Sequence, residues 1–195
     1  MNRSVTLPSA ILALFFALPA AAQHAGHHGS HHHGAPSGHA PPAANAVQPY
    51  AGLEGRRIKA LSEEDAAGLL AGLGMALALA AELNGYPGPM HVLEHADALG
   101  LSGAQRAAAE GLRNRMLDEA RALGARIVAL EEELDRLFAA GTADTGRLAA
   151  LTASLGALNG RLREVHLATH ISMRDFLGPE QRAAYDRMRG YTSGR

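Results

Sequence analysis

Four histidines in the C-terminal two-thirds of the chain form two pairs with the same spacing. His91 and His95 are four residues apart, and so are His166 and His170. Residues four apart lie above one another on a helix, so each pair is spaced to chelate one metal ion. Met173 follows His170 by three residues and extends that face with a thioether. The chain has no cysteine, so any metal chemistry must use His, Met, Asp or Glu.

A second group of histidines lies in residues 23–49, a low-complexity segment rich in Gly, Ala, Pro and His. It has too few large apolar residues to offset the entropy of ordering, so we expect a disordered tail. Clustered imidazoles on such a tail bind borderline divalent metals loosely, and the alternative is a solvated linker. The tail histidines are His24, His27, His28, His31, His32, His33 and His39.

Residues 1–22 have the pattern of a cleaved secretory signal. Asn2 and Arg3 precede an apolar run, and Ala20 to Ala22 supply the small-residue cleavage pattern. The run is shorter than the ~20 residues that span a bilayer. We therefore expect a mature protein in the periplasm.

Composition and motifs exclude several function classes. The net charge of −1 gives no general reason to bind nucleic acid, and aromatic residues make up only 4% of the chain. No nucleophile elbow or phosphate-binding loop is present. Zinc proteases place Glu directly after the first His of HxxxH, whereas Val92 and Leu167 stand there in this chain. The sequence predicts a protein that is not an enzyme.

The apolar residues are mainly Ala and Leu, which favours an all-α fold. Residues 50–89 are expected to form an N-terminal helix and linker, with a capping box at Ser62 and Asp65. The apolar run Ala66–Ala81 predicts a helix buried in an interface, and Met90–Leu99 predicts a short helix. A second capping box, at Ser102 and Gln105, predicts the start of a long helix.

Two apolar seams with helical spacing predict a long antiparallel hairpin, with a turn at residues 141–146. Because a lone hairpin leaves apolar surface uncovered, we expect short flanking helices and a homodimer. The first seam is Leu112, Met116, Leu123, Ile127, Leu130, Leu134 and Leu137. The second seam is Leu148, Leu151, Leu155, Leu158, Leu162, Val165, Thr169 and Ser172.

The hairpin also predicts which histidines lie at the same level. If the turn is centred at residues 142–143, residues that face each other across the hairpin have numbers that add to about 285, so Met173 lies level with residue 112. If the short helix folds back at Gly100, His91 lies level with residue 111 and therefore close to the level of Met173. His170 is then about one turn away, and His166 two turns away. On this basis His91, His170 and Met173 are the first candidates, followed by His95 and then His166.

Two short motifs carry a resemblance to a known family. Residues 101–105, Leu-Ser-Gly-Ala-Gln, and residues 177–181, Leu-Gly-Pro-Glu-Gln, resemble the two LTxxQ motifs of the Spy/CpxP family. With HxxxH before the hairpin and Met-Arg near its end, the motif order is similar to that of CnrX-type periplasmic heavy-metal sensors. The resemblance covers residues 90–191, which we expect to form a helical hairpin domain of this type.

The resemblance implies His91 and His95 as a metal-binding pair and Met173 as a thioether ligand. The family's histidine before that methionine falls on Thr169, so His170 or His166 is expected to replace it. The family's carboxylate falls near Arg113, and Glu110 or Glu94 is a candidate substitute.

Two functions remain open on the sequence. The first is a metal sensor or buffer of heavy-metal resistance that binds Ni, Co, Zn or Cu, with a membrane-bound signalling partner in the case of a sensor. The second is a Spy/CpxP-like chaperone that holds unfolded clients. The histidines favour the first, because a chaperone does not need them.

Overall fold

The computed structural model describes residues 49–191, so the predicted signal segment and nearly all of the predicted tail, with its seven histidines, lie outside the described residues. The described chain is all helical, as predicted, and contains no strand. Its six helices are α1 (Glu63–Ala71), α2 (Leu79–Glu82), α3 (Pro89–Glu94), α4 (Gly103–Ala139), α5 (Thr145–Phe176) and α6 (Pro179–Met188).

The two longest helices, α4 and α5, form the predicted antiparallel hairpin. Ser102 caps α4: its side chain accepts from the backbone N–H of Gln105, and the Gln105 side chain accepts from the N–H of Ser102. Asp144 caps α5 by accepting from two backbone N–H groups. At 37 and 32 residues, these helices form the frame on which the shorter ones pack.

The register of the hairpin differs from the prediction. Ion pairs join Glu119 to Arg161 and Glu133 to Arg147, so facing residues have numbers that add to 280 rather than 285. Residues 142–144 are not helical, and an extended residue advances about 3.3 Å against 1.5 Å for a helical one. The connection therefore descends along α4 before α5 begins. The buried seam of α5 also differs from the prediction at its end, where Met173 is buried and Ser172 is exposed.

The predicted helix over Ala66–Ala81 is two helices with a loop between them. Gly72 ends α1 in the left-handed region, at φ 71°, where its N–H donates to the carbonyl of Leu69. The chain then turns through residues 73–78 before α2 begins. Apolar periodicity alone did not show this break, because every residue of the run is apolar or small. Similarly, the helix predicted over Met90–Leu99 ends at Glu94 and continues as turns to Gly100.

Helix α1 packs directly on α4 at a glycine. A Cβ on Gly124 would overlap the carbonyl oxygen of Leu69, so only glycine permits this approach. Around this contact, Leu69 shares a buried apolar cluster with Ile127 of α4 and Leu158 of α5. The N-terminal segment thus covers part of the hairpin seam within one chain.

The open end of the hairpin is closed by the two motif glutamines. The Gln105 amide donates to Gln181 Oε1 at 2.9 Å, and the Gln181 amide donates to Gln105 Oε1 at 3.2 Å. Gln181 also accepts from the N–H of Gly178 and so caps α6. Each motif therefore starts its own helix and binds the other.

The helices described for residues 49–191 lack a segment with the length and hydropathy of a membrane span.

Gly124→Ala is expected to destabilise the protein by about 1–3 kcal/mol, because the added methyl must push α1 away from α4. The control is Gly160→Ala on α5, which has no neighbour within 4 Å of the new methyl. Helix propensity predicts that this control gains about 0.5–1 kcal/mol. Thermal or urea unfolding of the two variants measures the difference, and equal stabilities would contradict the packing of α1 on Gly124.

Candidate metal centre

A cavity of about 380 Å³ lies among the loop after α1, the start of α3, the first half of α4 and the second half of α5. Its polar lining includes His91, His166, His170 and Glu82. Its apolar lining includes three methionines, which are Met75, Met90 and Met116. The structure thus brings three of the predicted histidines to one cavity.

His170 is held in one orientation by a backbone carbonyl. Its Nδ1 lies 2.8 Å from the carbonyl oxygen of Tyr86 and, facing an acceptor, must carry the proton. In the neutral ring, Nε2 then keeps its lone pair. The ring packs on Gly88, where a Cβ would lie 2.9 Å from Cε1 and 3.2 Å from Nε2. A histidine that donates one N–H to a carbonyl and keeps the other nitrogen free has the usual arrangement of a metal ligand.

His166 lies one helical turn before His170 on α5 and is 3% exposed. Its Nε2 is buried and has no hydrogen-bond partner in the described part of the chain. Burial and, to a smaller extent, the nearby His170 lower the pKa of His166, so its ring is neutral near pH 7. A buried ring nitrogen without a partner costs free energy, and a bound cation would offset that cost.

Glu82 is a buried carboxylate at the end of α2. Its Oε1 accepts hydrogen bonds from the hydroxyls of Tyr185 and Tyr191, and it lies 3.6 Å from Arg189 Nε. Its Oε2 lies 3.7 Å from His170 Nδ1 and has no hydrogen-bond partner among the described residues. Burial, then the bond to Glu82, raise the pKa of Tyr185 far above the usual value of a phenol, so this hydroxyl stays a donor.

The remaining predicted residues are placed differently. His91 lines the cavity, but its Nδ1 lies 2.8 Å from Glu94 Oε2, a contact that lowers the pKa of Glu94. His95 is half-buried and is not part of the cavity wall. Met173 is fully buried in an apolar cluster with Val92 and Tyr185. The structure therefore does not bring His95 and Met173 to the cavity.

The sequence predictions missed Glu82 and the three cavity methionines. The signal for Glu82 was present, since it is the charged residue that ends the apolar run from Ala66. The sequence did not indicate Met75, Met90 and Met116 as site residues, because each lies among other apolar residues. Arg113, where the resemblance implies a carboxylate, lines the cavity as a cation. Thr169, where it implies a histidine, is buried, and its hydroxyl donates to the carbonyl of Val165.

The cavity supplies the donor types that a borderline or soft metal ion prefers. These are three imidazoles, one buried carboxylate oxygen and thioether sulfurs. Over residues 49–191, however, no three His, Asp or Glu side chains already stand in a metal-binding arrangement. The residues fit a metal by chemistry and by their unpaired buried atoms, and binding would require the side chains to converge.

Comparison with protein families gives one match. A family model described as heavy-metal resistance matches residues 66–184, well over half of the chain. The matched region runs from α1 into α6 and includes the cavity histidines and Glu82. No curated protein matches the chain. No solved structure matches it either.

Tyr185→Phe is expected to destabilise the protein by about 1–3 kcal/mol, because buried Glu82 loses a donor. Since its folded pKa is raised, Tyr185 stabilises the fold fully below pH ~10 and loses that contribution as the pH rises further. The variant should therefore also lose stability less steeply above pH ~10. Thermal melts from pH 7 to 11 measure both effects. Tyr86→Phe is the control, and equal melts for the two variants would contradict the role given to Tyr185.

Proposed function

The chain belongs to the heavy-metal resistance family, and on that premise we propose that its cavity binds a heavy-metal ion. The observation that carries this proposal is the unpartnered Nε2 of His166, buried beside the oriented ring of His170. Two imidazoles one turn apart form a chelating pair for Ni, Co, Zn or Cu. We propose His166 and His170 as the primary ligands, with His91 at the rim of the cavity.

A structural role alone does not explain these two histidines. Buried side chains that only fill space are apolar, and a buried polar atom without a partner lowers stability by about 1–3 kcal/mol. Here a ring nitrogen of His166 and a carboxylate oxygen of Glu82 are both left without partners around the same cavity. A bound metal ion would give these atoms a partner, and metal binding also fits a family described as heavy-metal resistance.

We further propose that the protein works in the periplasm as a sensor or buffer, without catalytic activity of its own. The signal pattern of residues 1–22 supports export, and the order of motifs resembles that of CnrX-type sensors within the Spy/CpxP family. A sensor would pass the metal signal to a membrane-bound partner. The chaperone alternative gains no support from the family match, and it leaves the buried histidines without a purpose.

We also propose a homodimer. Helix α1 covers part of the seam within one chain, but an open groove of about 580 Å³ between α4 and α5 remains, with Leu130 and Ala157 in its lining. A second copy would cover this apolar surface.

Light scattering of the mature protein should give twice the mass of one chain. Leu130→Glu should give a single-chain mass with unchanged helix content, because it places a charge in the groove. A wild-type monomer at micromolar concentration would overturn the dimer.

The metal proposal is tested by titration calorimetry of the mature chain with Zn²⁺, Ni²⁺, Co²⁺ and Cu²⁺. We expect one tight ion per chain beyond the weak binding of the tail, which every variant shares. The double variant His166→Gln with His170→Gln should bind this ion at least about tenfold more weakly than the wild type. His95→Gln, outside the cavity, is the matched control.

Thermal melts provide a readout that does not depend on the tail. An ion at a free concentration of 100 times its Kd adds about 2.7 kcal/mol to the stability of the folded state. That gain should be present in the wild type and in His95→Gln, and absent from the double variant, whose helix content circular dichroism checks. If His95→Gln loses the tight ion and the double variant keeps it, the cavity assignment is wrong.

A further inference from the structure

The cavity carries a second donor set that the proposed histidine pair does not use. Three of the chain's six methionines, Met75, Met90 and Met116, line it. They come from three separate parts of the chain: the loop before α2, the second residue of α3, and α4. Each of these elements thus contributes one methionine to the wall of the cavity that the histidines also line.

Packing alone does not account for two of these methionines. A methionine that fills a core is buried, as Met173 is at 0% exposure. Met75 and Met90 keep 41% and 48% of their surface exposed and yet form part of the cavity wall. Exposed methionines that share a cavity wall with buried imidazoles are better explained as ligands.

The backbone at Met75 supports the same conclusion. Met75 and Ala76 are the non-glycine residues with positive φ in the described chain, at 41° and 62°. Such residues are strained, and strain of this kind is held where a site requires it. Space is kept for this side chain by Gly68, where a Cβ would lie 2.9 Å from Met75 Sδ.

The charges around the cavity favour an ion of low charge. Its lining includes the single carboxylate of Glu82 and the two guanidinium groups of Arg113 and Arg189. Glu82 already pairs with Arg189, so Arg113 leaves these three side chains with a net positive charge. A divalent cation would be repelled more strongly than a monovalent one in this partly buried space.

We propose that this cavity is a site for Cu(I), held by the imidazoles of His166 and His170 and by the thioethers of Met75 and Met116, with Met90 at the rim. Thioether ligands select Cu(I) over Zn²⁺ or Ni²⁺, and imidazole also suits copper. The inference rests on the proposed metal-binding function and names the ion and the additional ligands. Ag(I), a soft monovalent ion of the same kind, should bind the same residues.

The test measures Cu(I) binding to the mature chain without oxygen, by competition with a chromophoric Cu(I) chelator. Met75→Leu with Met116→Leu should weaken Cu(I) binding by at least about tenfold and leave Zn²⁺ binding unchanged. Leucine is close to methionine in volume, so the fold should be preserved. Met188→Leu, a partly exposed methionine outside the cavity, is the matched control.

X-ray absorption at the copper edge separates this site from the histidine tail. Residues 23–49 contain no methionine or cysteine, so sulfur next to copper must come from the rest of the chain. We expect nitrogen and sulfur neighbours in the wild type and in Met188→Leu. In Met75→Leu with Met116→Leu, the sulfur signal should be lost or clearly reduced.

The outcomes distinguish the two proposals. If the histidine variants lose metal but the methionine variants bind Cu(I) like the wild type, the Cu(I) site is wrong and metal binding by the cavity stands. An absence of sulfur neighbours in the wild type has the same meaning. If neither set of variants changes the binding of any metal, both proposals fail.

Discussion

The carboxylate of Glu82 is buried where α2, the histidine face of α5 and residues 185–191 meet. Burying a charge is costly unless partners compensate for it, and Tyr185, Tyr191 and Arg189 supply them. This requirement explains why α6 and the residues after it dock against α2. It also fixes one wall of the cavity, because Gly88 donates to the same tyrosine hydroxyl that donates to Glu82. This one buried charge, whose Oε1 has partners, thus holds α6 and the residues after it against α2 beside the cavity.

The parts of the fold that local chemistry determines were predictable from the sequence. Ser102 and Gln105 form the predicted capping box, and the seam leucines such as Leu155 and Leu162 are buried as expected. The register of the hairpin was not predictable by counting residues, because residues 142–144 advance further per residue than a helix does. The break at Gly72 was hidden within a uniformly apolar run. Gly72 also packs closely on α4, where a Cβ would lie 3.1 Å from the carbonyl oxygen of Leu117, and no local pattern shows that contact.

The candidate site shows the same division between local and long-range information. Spacing alone placed His166 and His170 on one helix face, and both are buried beside the same cavity. Spacing also favoured Met173, but the shifted register places it in the apolar cluster at the end of the hairpin. The methionines around the histidines come from distant segments, so no local pattern could have grouped them. The motif-based assignment and the cavity therefore share His91 and the replacement histidine, His170 or His166, but His95 and Met173 are not part of the cavity.

The hydrogen bond from Tyr191 to Glu82 joins residues 109 positions apart, whereas the hairpin is joined by one short connection. A contact between residues so far apart in sequence costs loop-closure entropy until the helices between them have formed. Detachment of residues 185–191 breaks the bonds to Glu82 but leaves the α4–α5 hairpin intact. Such an opening exposes the wall around Glu82 and His170 to solvent. The integrity of the cavity thus depends on residues 185–191, which are distant in sequence from the carboxylate that they bind.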